Sequence, residues 1–489
     1  MTSITSGPEF HTDPPRGASS TSSIEQDAPA LLGLHREAPN LHIYTVSSTN
    51  YEALNRINDR SVTTLPVATV RPTDEAEIST AVRHISQKGL TLAIRNSGVD
   101  QGGRSRAFGP KDVSLDVRSV DKMILSADRQ HVTVEGGVSS ERLLKFLDGH
   151  NLATPTPLSL VVGYVGFACG GGYSLWNGTM GMAADNILGG RVVLADGHVV
   201  DTDDADCDPD LLWTLRGGGA GVVGVVSCLR VRVYRRPTLL GGLVGFPQKE
   251  ASQITERLAK LYAWKKPNKL VADVGIVHPP GAEGLFFFVF AWALNEDKSD
   301  LDEAKDYLER MLSLGTVVVN TVQETTPYGL TMSVKNPELF AELIHFRKTV
   351  SVPVWSEELG RILSEPLPNS TSIVVIHDRH GAGTRGSGST LVANGAFLNR
   401  EPHVMLGIFA SAPADDEEGM KSCDAWVNKV FDGINAAGLA VPHKYINFSS
   451  PHKGDGLHYY GADGLVRIRS IKSRLDPSNL FAKSTPDLA

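Results

Sequence analysis

Three glycine-dense stretches break the first half of the chain: RNSGVDQGGRS at 95–105, CGGGYS at 169–174 and RGGGAG at 216–221. Glycine reaches positive φ without steric cost and lets main chain lie directly against another body. A fold built on this sequence must therefore leave bare backbone along three loops, with N–H groups free to face an anion. One such turn alone is ordinary punctuation. With 48 glycines in 489 residues, close backbone approach is a recurring device.

The segments around these loops alternate in period. From about 60 to 235, short β-branched runs (VATV, TLAIRN, VSLDV, HVTVEGG) are separated by the amphipathic stretches DEAEISTAVRHISQKG and SSERLLKFLDG, the pattern of an α+β domain. Asp196-Gly197 within RVVLADGHVVDT predicts a hairpin closed by a primed two-residue turn. No G-x-G-x-x-G opens a strand-helix unit and no Walker loop occurs, which argues against Rossmann and P-loop sites.

A second pattern starts near 241. The long strands LVADVGIVH, GLFFFVFAWAL, TSIVVIHDR and HVMLGIFASA alternate with the helices LDEAKDYLERML, SEELGRILSE and GMKSCDAWVNKVFDGI. That order predicts an antiparallel sheet backed by helices on one face, its other face free to cover a ligand. The expected division is a disordered tail at 1–40, a first domain at 41–240, a second at 241–450, and a C-terminal segment at 451–489. That last segment returns to the first domain as one helix stopped before Pro477.

Composition narrows the partners. A net charge of -8 without a Lys/Arg cluster speaks against nucleic acid and anionic membrane. No run of about eighteen apolar residues predicts a membrane span, and the Ser/Thr/Pro-rich start lacks the apolar core of a signal peptide. A cytoplasmic protein acting on a small molecule is expected. Cys169, Cys207, Cys228 and Cys423 are too few and scattered for a disulfide framework or a metal site.

Four stretches in order, RNSGVDQGGRS (95–105), VGYVGFACGGGYSLWNGTMGMAADNI (162–187), DPDLLWTLRGGGAGVVGVV (208–226) and RLDPSNLF (474–481), resemble the vanillyl-alcohol-oxidase type of FAD-binding fold, most closely the berberine-bridge-enzyme-like and hydroxynicotine-oxidase group. The resemblance runs from about 45 to 482. It implies a two-lobed FAD-binding (PCMH-type) domain followed by the substrate domain. By position, Arg95, Asn96, Ser97, Gly98, Val99, Gly103 and Ser105 line the pyrophosphate loop. Gly163, Gly166, Gly170, Gly171, Gly172, Asp185, Asn186 and Ile187 clasp the adenosine and diphosphate, and Tyr445 and Asn447 face the flavin.

The resemblance also marks departures. The position at which this family bonds a histidine to the flavin is Val99, and the position of a second, cysteine link is Ser159. Neither residue can form the bond, so FAD is expected to be held non-covalently, leaving hydrogen bonds and charges near the ring to tune it.

After the segment holding Ala396, Phe397 and Arg400, Met405 stands where relatives carry a basic glutamate, and Phe448 where some carry a second tyrosine. Proton transfer then falls to Tyr445 or to ionisable groups in apolar strands: Asp273, and His377 to His380 in VVIHDRHG. Alternation puts His377 with Arg379 on one face and Asp378 with His380 on the other. Tyr445, His377 and Asp273 are the catalytic candidates, with a plain salt bridge an equal reading for Asp273 and a solvent-facing strand end the competing reading for the histidines.

Three functions remain open. The first is an FAD-dependent oxidoreductase acting on a small, largely apolar secondary metabolite, with oxygen taking up the electrons. The second is a non-redox isomerase or cyclase using the same cavity, and the third a protein that keeps FAD only as structure.

Overall fold

The computed structural model describes residues 18–57, 61, 63–100, 109, 111–264, 266–334, 343–381, 383–384, 394–449, 452–484 and 486–488. A four-stranded sheet comes first, in the order His42–Tyr44, Ala68–Arg71, Asp112–Asp116, Thr91–Arg95. The last two strands run parallel, with Arg95 opposite Asp116, so the first glycine loop leaves from the sheet's edge at its C-terminal end. Asp116 is fully buried and receives Nε and Nη2 of Arg118 at 2.9 and 2.6 Å. Burial pushes its carboxyl up, but Arg118, Arg71 and Arg95 outweigh that and hold it at about 2.

The expectation of disorder through residue 40 is corrected for 18–40. Thr21–Asp27 and Leu32–Glu37 are helices, joined by the 3₁₀ turn Pro29–Leu31. Ile24, Ala28, Leu31 and Leu34 recur at helical spacing and bury against Val70, Ile78 and Leu92 of the first sheet. Ser20 caps the first helix by accepting the N–H of Ser23 at 3.2 Å. A serine-rich composition hid this apolar stripe.

A second, five-stranded antiparallel sheet follows the order Met123–Leu125, His131–Glu135, Val225–Arg232, Ile187–Val193, Val199–Asp201. The predicted hairpin is present, but its turn differs. The Gly197 N–H bonds to Leu194 O at 2.9 Å and Gly197 itself takes φ 86°, which makes a three-residue loop with a glycine bulge, not the expected primed two-residue turn.

The third sheet has eight strands. Seven run in the order Val319–Asn320, Leu239–Pro247, Leu285–Ala293, Leu270–Val277, Ile373–Arg379, His403–Ala412, Ile344–Val352, and Gln323–Thr325 adds beside Leu239–Pro247. All its pairings are antiparallel. Phe246, Phe286, Phe288 and Ile408 point to one face, where the helices Ala251–Trp264, Leu301–Leu312, Glu357–Leu363 and Glu417–Ala436 bury Ile254, Tyr307, Leu359 and Trp426 against them. The other face lies on the first half of the chain, through Leu239, Val271 and Val289 against Leu175, Trp176 and Met180. The α+β architecture with one helix-backed antiparallel sheet is thus as expected.

The C-terminal helix Gly456–Leu475 is interrupted at Gly461, whose φ is 68°, so the single helix read from the sequence is two segments. It returns to the first half: Tyr460 Oη donates to Gly218 O at 2.6 Å and Lys472 Nζ to Val222 O at 2.7 Å. Asp476 then accepts the N–H groups of Leu480 and Phe481, and Phe481 enters the core under the first sheet. Among the described residues no helix is long and apolar enough to cross a membrane, and no cluster of ligating side chains could hold a metal ion.

Candidate active site

The glycine loops meet. A Cβ on Gly163 would come within 2.5 Å of the Asn96 amide nitrogen, and the Gly163 N–H donates to Ser97 Oγ at 3.2 Å. Gly170 lies on the Asn447 amide and Gly171, at φ 111°, on the ring of Phe397. The Gly219 N–H donates to Cys169 O at 2.8 Å, joining the second and third loops. Gly166 is exposed on the short helix Tyr164–Cys169, and nothing stands within 4 Å of where its Cβ would be. Four distant stretches therefore converge on a surface with side chains absent at the points of contact.

Beside it lies an aromatic patch. Tyr173 stacks on Tyr445 with ring centroids 4.0 Å apart and planes at 3°, and Met182, Phe397, Met405 and Phe448 complete the cluster. The Tyr445 hydroxyl oxygen accepts two N–H groups, from the Tyr173 backbone at 3.1 Å and the Asn447 amide at 2.9 Å. Burial raises its pKa. His403 Nδ1 sits 2.7 Å from the carbonyl of Glu401, which can only accept, so that nitrogen carries the proton. Its Nε2 then accepts the Tyr173 hydroxyl at 2.7 Å. Burial lowers the His403 pKa to about 4, which keeps the ring neutral.

The strand alternation holds. His377 and Arg379 share the face toward the patch, where Asp273 binds both: its Oδ2 is 2.8 Å from His377 Nδ1 and its Oδ1 pairs with Arg379 Nη2. Arg379 also donates from Nη1 to Ser174 O at 2.6 Å and Asn177 Oδ1 at 2.9 Å, tying the sheet to the loop after the glycine triplet. Asp378 faces the other way, onto Trp355 Nε1 at 2.8 Å and Lys266. His380 packs over Pro267, and burial takes its pKa to about 4.

Not every expected ligand group is free to act as one. Arg95 is 4% exposed, and its guanidinium holds the carbonyls of Leu54 and Arg56, although its Nε is buried with no partner among the described residues. The reading of Asp185, Asn186 and Ile187 as clasping side chains is corrected. Asp185 pairs with Arg400 at 2.7 and 2.8 Å, Asn186 bonds the carbonyls of Met180 and Met182 and the Tyr234 hydroxyl, and Ile187 is buried in a strand. Only their main chain is left for a ligand. The salt-bridge reading of Asp273 is met by Arg379, and the solvent-facing reading of His377 is not, since its side chain is 13% exposed. Gly172, at φ 73°, packs its bare Cα on Ala183 and Phe167. Val99 is half-buried and Ser159 exposed, while Gly103 and Ser105 lie outside the described residues. Tyr173 and His403 were not singled out from the sequence. The only hint was an aromatic directly after CGGGYS's glycines.

Similarity to known proteins agrees with this geometry. Residues 66–203 match the FAD binding domain family. The FAD-linked oxidoreductase aurO of Gibberella zeae is 30% identical over 488 residues, covering 98% of this chain and 92% of that protein. The chain belongs to the FAD-linked oxidoreductases. Within that family, the (R)-6-hydroxynicotine oxidase of Paenarthrobacter nicotinovorans is 30% identical over 40% of this chain and 42% of its own length. The fold matches 6-hydroxy-D-nicotine oxidase of Arthrobacter nicotinovorans with a TM-score of 0.79 at 19% identity, covering 92% of this chain and 98% of that one. For berberine bridge enzyme of Eschscholzia californica the values are 0.78, 16%, 94% and 98%. The cofactor of this FAD-linked oxidoreductase is FAD, and the residues present fit it: bare glycine backbone for the pyrophosphate, and an aromatic and amide-lined wall at Tyr445 and Asn447 for the flavin. FAD supplies the hydride acceptor, whereas binding, orientation and proton handling fall to the chain.

Proposed function

We propose that this FAD-linked oxidoreductase holds its flavin non-covalently and oxidises a C–H bond of a small, largely apolar secondary metabolite, with oxygen taking up the electrons. The observation that carries the reading is the cluster of Tyr173, Phe397, Met405, Tyr445 and Phe448 beside the glycine cradle. Such a wall selects for apolar surface and removes water from the reacting centre. Gly170 against Asn447 sets that wall directly on the cofactor loop.

A second reading, isomerisation or cyclisation without net electron transfer, is favoured by Met405 and Phe448, which bring no proton acceptor to the wall. Anaerobic mixing of the holoprotein with apolar aromatic metabolites separates the two. Bleaching of the flavin, followed by its return on admitting air, is the expected result. Conversion of the metabolite while the flavin stays yellow overturns the oxidation and establishes the second reading.

A further inference from the structure

We propose that His377 is the proton acceptor of this site, that Asp273 and Arg379 are positioning residues which decide which nitrogen accepts, and that the substrate carries a hydroxyl on an aromatic or conjugated ring. The proposal deepens the function proposed above and rests on its placement of the substrate at the aromatic wall.

Three strands build the arrangement. His377 lies directly opposite Met405 on the neighbouring strand, and Asp273 stands across from it on the other side, one residue beyond the pair Val274 and Ile376. Asp273, His377 and Met405 thus form a row across the sheet on the face turned toward Tyr173. A carboxylate only accepts, so the 2.8 Å contact places the His377 proton on Nδ1. Arg379 Nη2 lies 3.4 Å from Nδ1, and both donors converge on the carboxylate of Asp273. With Arg379 2% and Asp273 7% exposed, neither partner can swing away.

Nε2 is then left as a lone pair. No partner for it exists among the described residues, and the side chain keeps 13% exposure. The ring stands 5.6 Å from Phe448 and 6.0 Å from Tyr173, centroid to centroid. Below it on the same strand face are Val375 and Ile373, packed with Phe409 and Phe448. A flat apolar ring fits against such a surface, with its hydroxyl at Nε2.

The other polar groups of the wall are committed. Tyr445 oxygen already takes two N–H groups, and His403 Nε2 takes the Tyr173 hydroxyl. In the step itself the substrate O–H bond breaks, its electron pair stays on oxygen, and the proton becomes the Nε2–H. The new positive charge faces Asp273, whose second oxygen stays with Arg379. A phenol, with a pKa of about 10, is an acid whose proton an imidazole can draw into a hydrogen bond and accept, unlike that of a simple alcohol.

The test reads the proton without turnover. In holoprotein labelled with ¹⁵N-histidine, two-bond ¹H–¹⁵N correlations should show the resonances lost in His377→Gln with the proton on Nδ1. In Asp273→Asn, Arg379 holds the amide oxygen and turns the NH2 toward Nδ1, so the proton should move to Nε2 while the FAD content is unchanged. As a probe, 4-nitrophenol should bind the wild type as its coloured phenolate, and the ionised fraction should fall by about tenfold or more in His377→Gln. A wild-type proton on Nε2, a wild type that does not ionise the probe, or equal ionisation in His377→Gln overturns the proposal. None of these readouts needs Asp273→Asn to fold except the tautomer switch, and none needs flavin reduction, so they stand or fall separately from the oxidase reading.

Discussion

Tyr173 and Tyr445 stand 272 residues apart in sequence and lie face to face at 4.0 Å. The same pair is joined at its edge, where the Tyr173 backbone N–H donates to the Tyr445 hydroxyl. One residue follows the glycine triplet and the other sits on the closing segment of the substrate half. The pair therefore fixes the distance between cofactor loop and substrate sheet. Tyr445→Phe removes the acceptor of two N–H groups, and the buried donors left behind cost about 1–3 kcal/mol. Chemical denaturation should show that loss with FAD still bound. An unchanged midpoint would mean that stacking alone sets the distance.

Flavin release follows from Val99 and Ser159. Acid precipitation of the purified protein should leave all the yellow colour in the supernatant. A yellow pellet, or a flavin-bearing peptide in a mass spectrum, would show a tether at some other residue.

Gly171→Ala adds one methyl group at a position with φ 111°, aimed at the Phe397 ring at 2.4 Å. Backbone strain at such a site costs about 1–3 kcal/mol, and displacing Phe397 disturbs the aromatic wall as well. The expected outcome is a folded protein purified with substoichiometric FAD, checked by the ratio of flavin to protein absorbance. Full occupancy would remove Gly171 from the cradle.

Acid should weaken the fold in a window set by two histidines. Burial lowers both His380 and His403 from 6.5 to about 4, so the unfolded chain binds protons that the folded one refuses. Stability is complete above about pH 6.5 and is lost as the pH falls toward about 4, by on the order of 3 kcal/mol for each histidine. Urea denaturation at pH 7 and pH 4.5 measures the slope, and His403→Gln should flatten it. A slope indifferent to both His403→Gln and His380→Gln would place the titration elsewhere.

Arg400 and Asp185 form a pair with 13% and 1% exposure that bridges the two halves of the chain. Arg400→Gln leaves a buried carboxylate uncompensated, at a cost of about 3–5 kcal/mol. Asp185→Asn in the same chain should recover part of it. A double variant no more stable than Arg400→Gln alone would mean that the loss comes from packing on Phe397, which the guanidinium covers at 5.0 Å.

What the sequence discloses here depends on contiguity. The glycine loops are legible because each is a short unbroken run, and the shared face of His377 and Arg379 because strand alternation is local. The stack of Tyr173 on Tyr445 is not legible, since nothing within either segment refers to the other. His403 ends up neutral through a carbonyl and a hydroxyl that tertiary structure alone supplies. Asp185 and Asn186 match the family pattern, yet their side chains are spent on Arg400, Met180, Met182 and Tyr234. The helices between Thr21 and Glu37 were obscured because composition averaged away four well-spaced apolar residues.

The return of the C-terminal helix sets an order in time. Phe481 is fully buried beneath the first sheet and Lys472 caps the carbonyl of Val222 in the third glycine segment. During synthesis the ribosome emits those residues hundreds of codons after the strands they complete. The nascent cofactor half must wait, unfinished, until translation has passed Phe481. Flavin capture is accordingly a post-translational event, and a stop codon that removes the last helix deletes part of the cofactor half's own core.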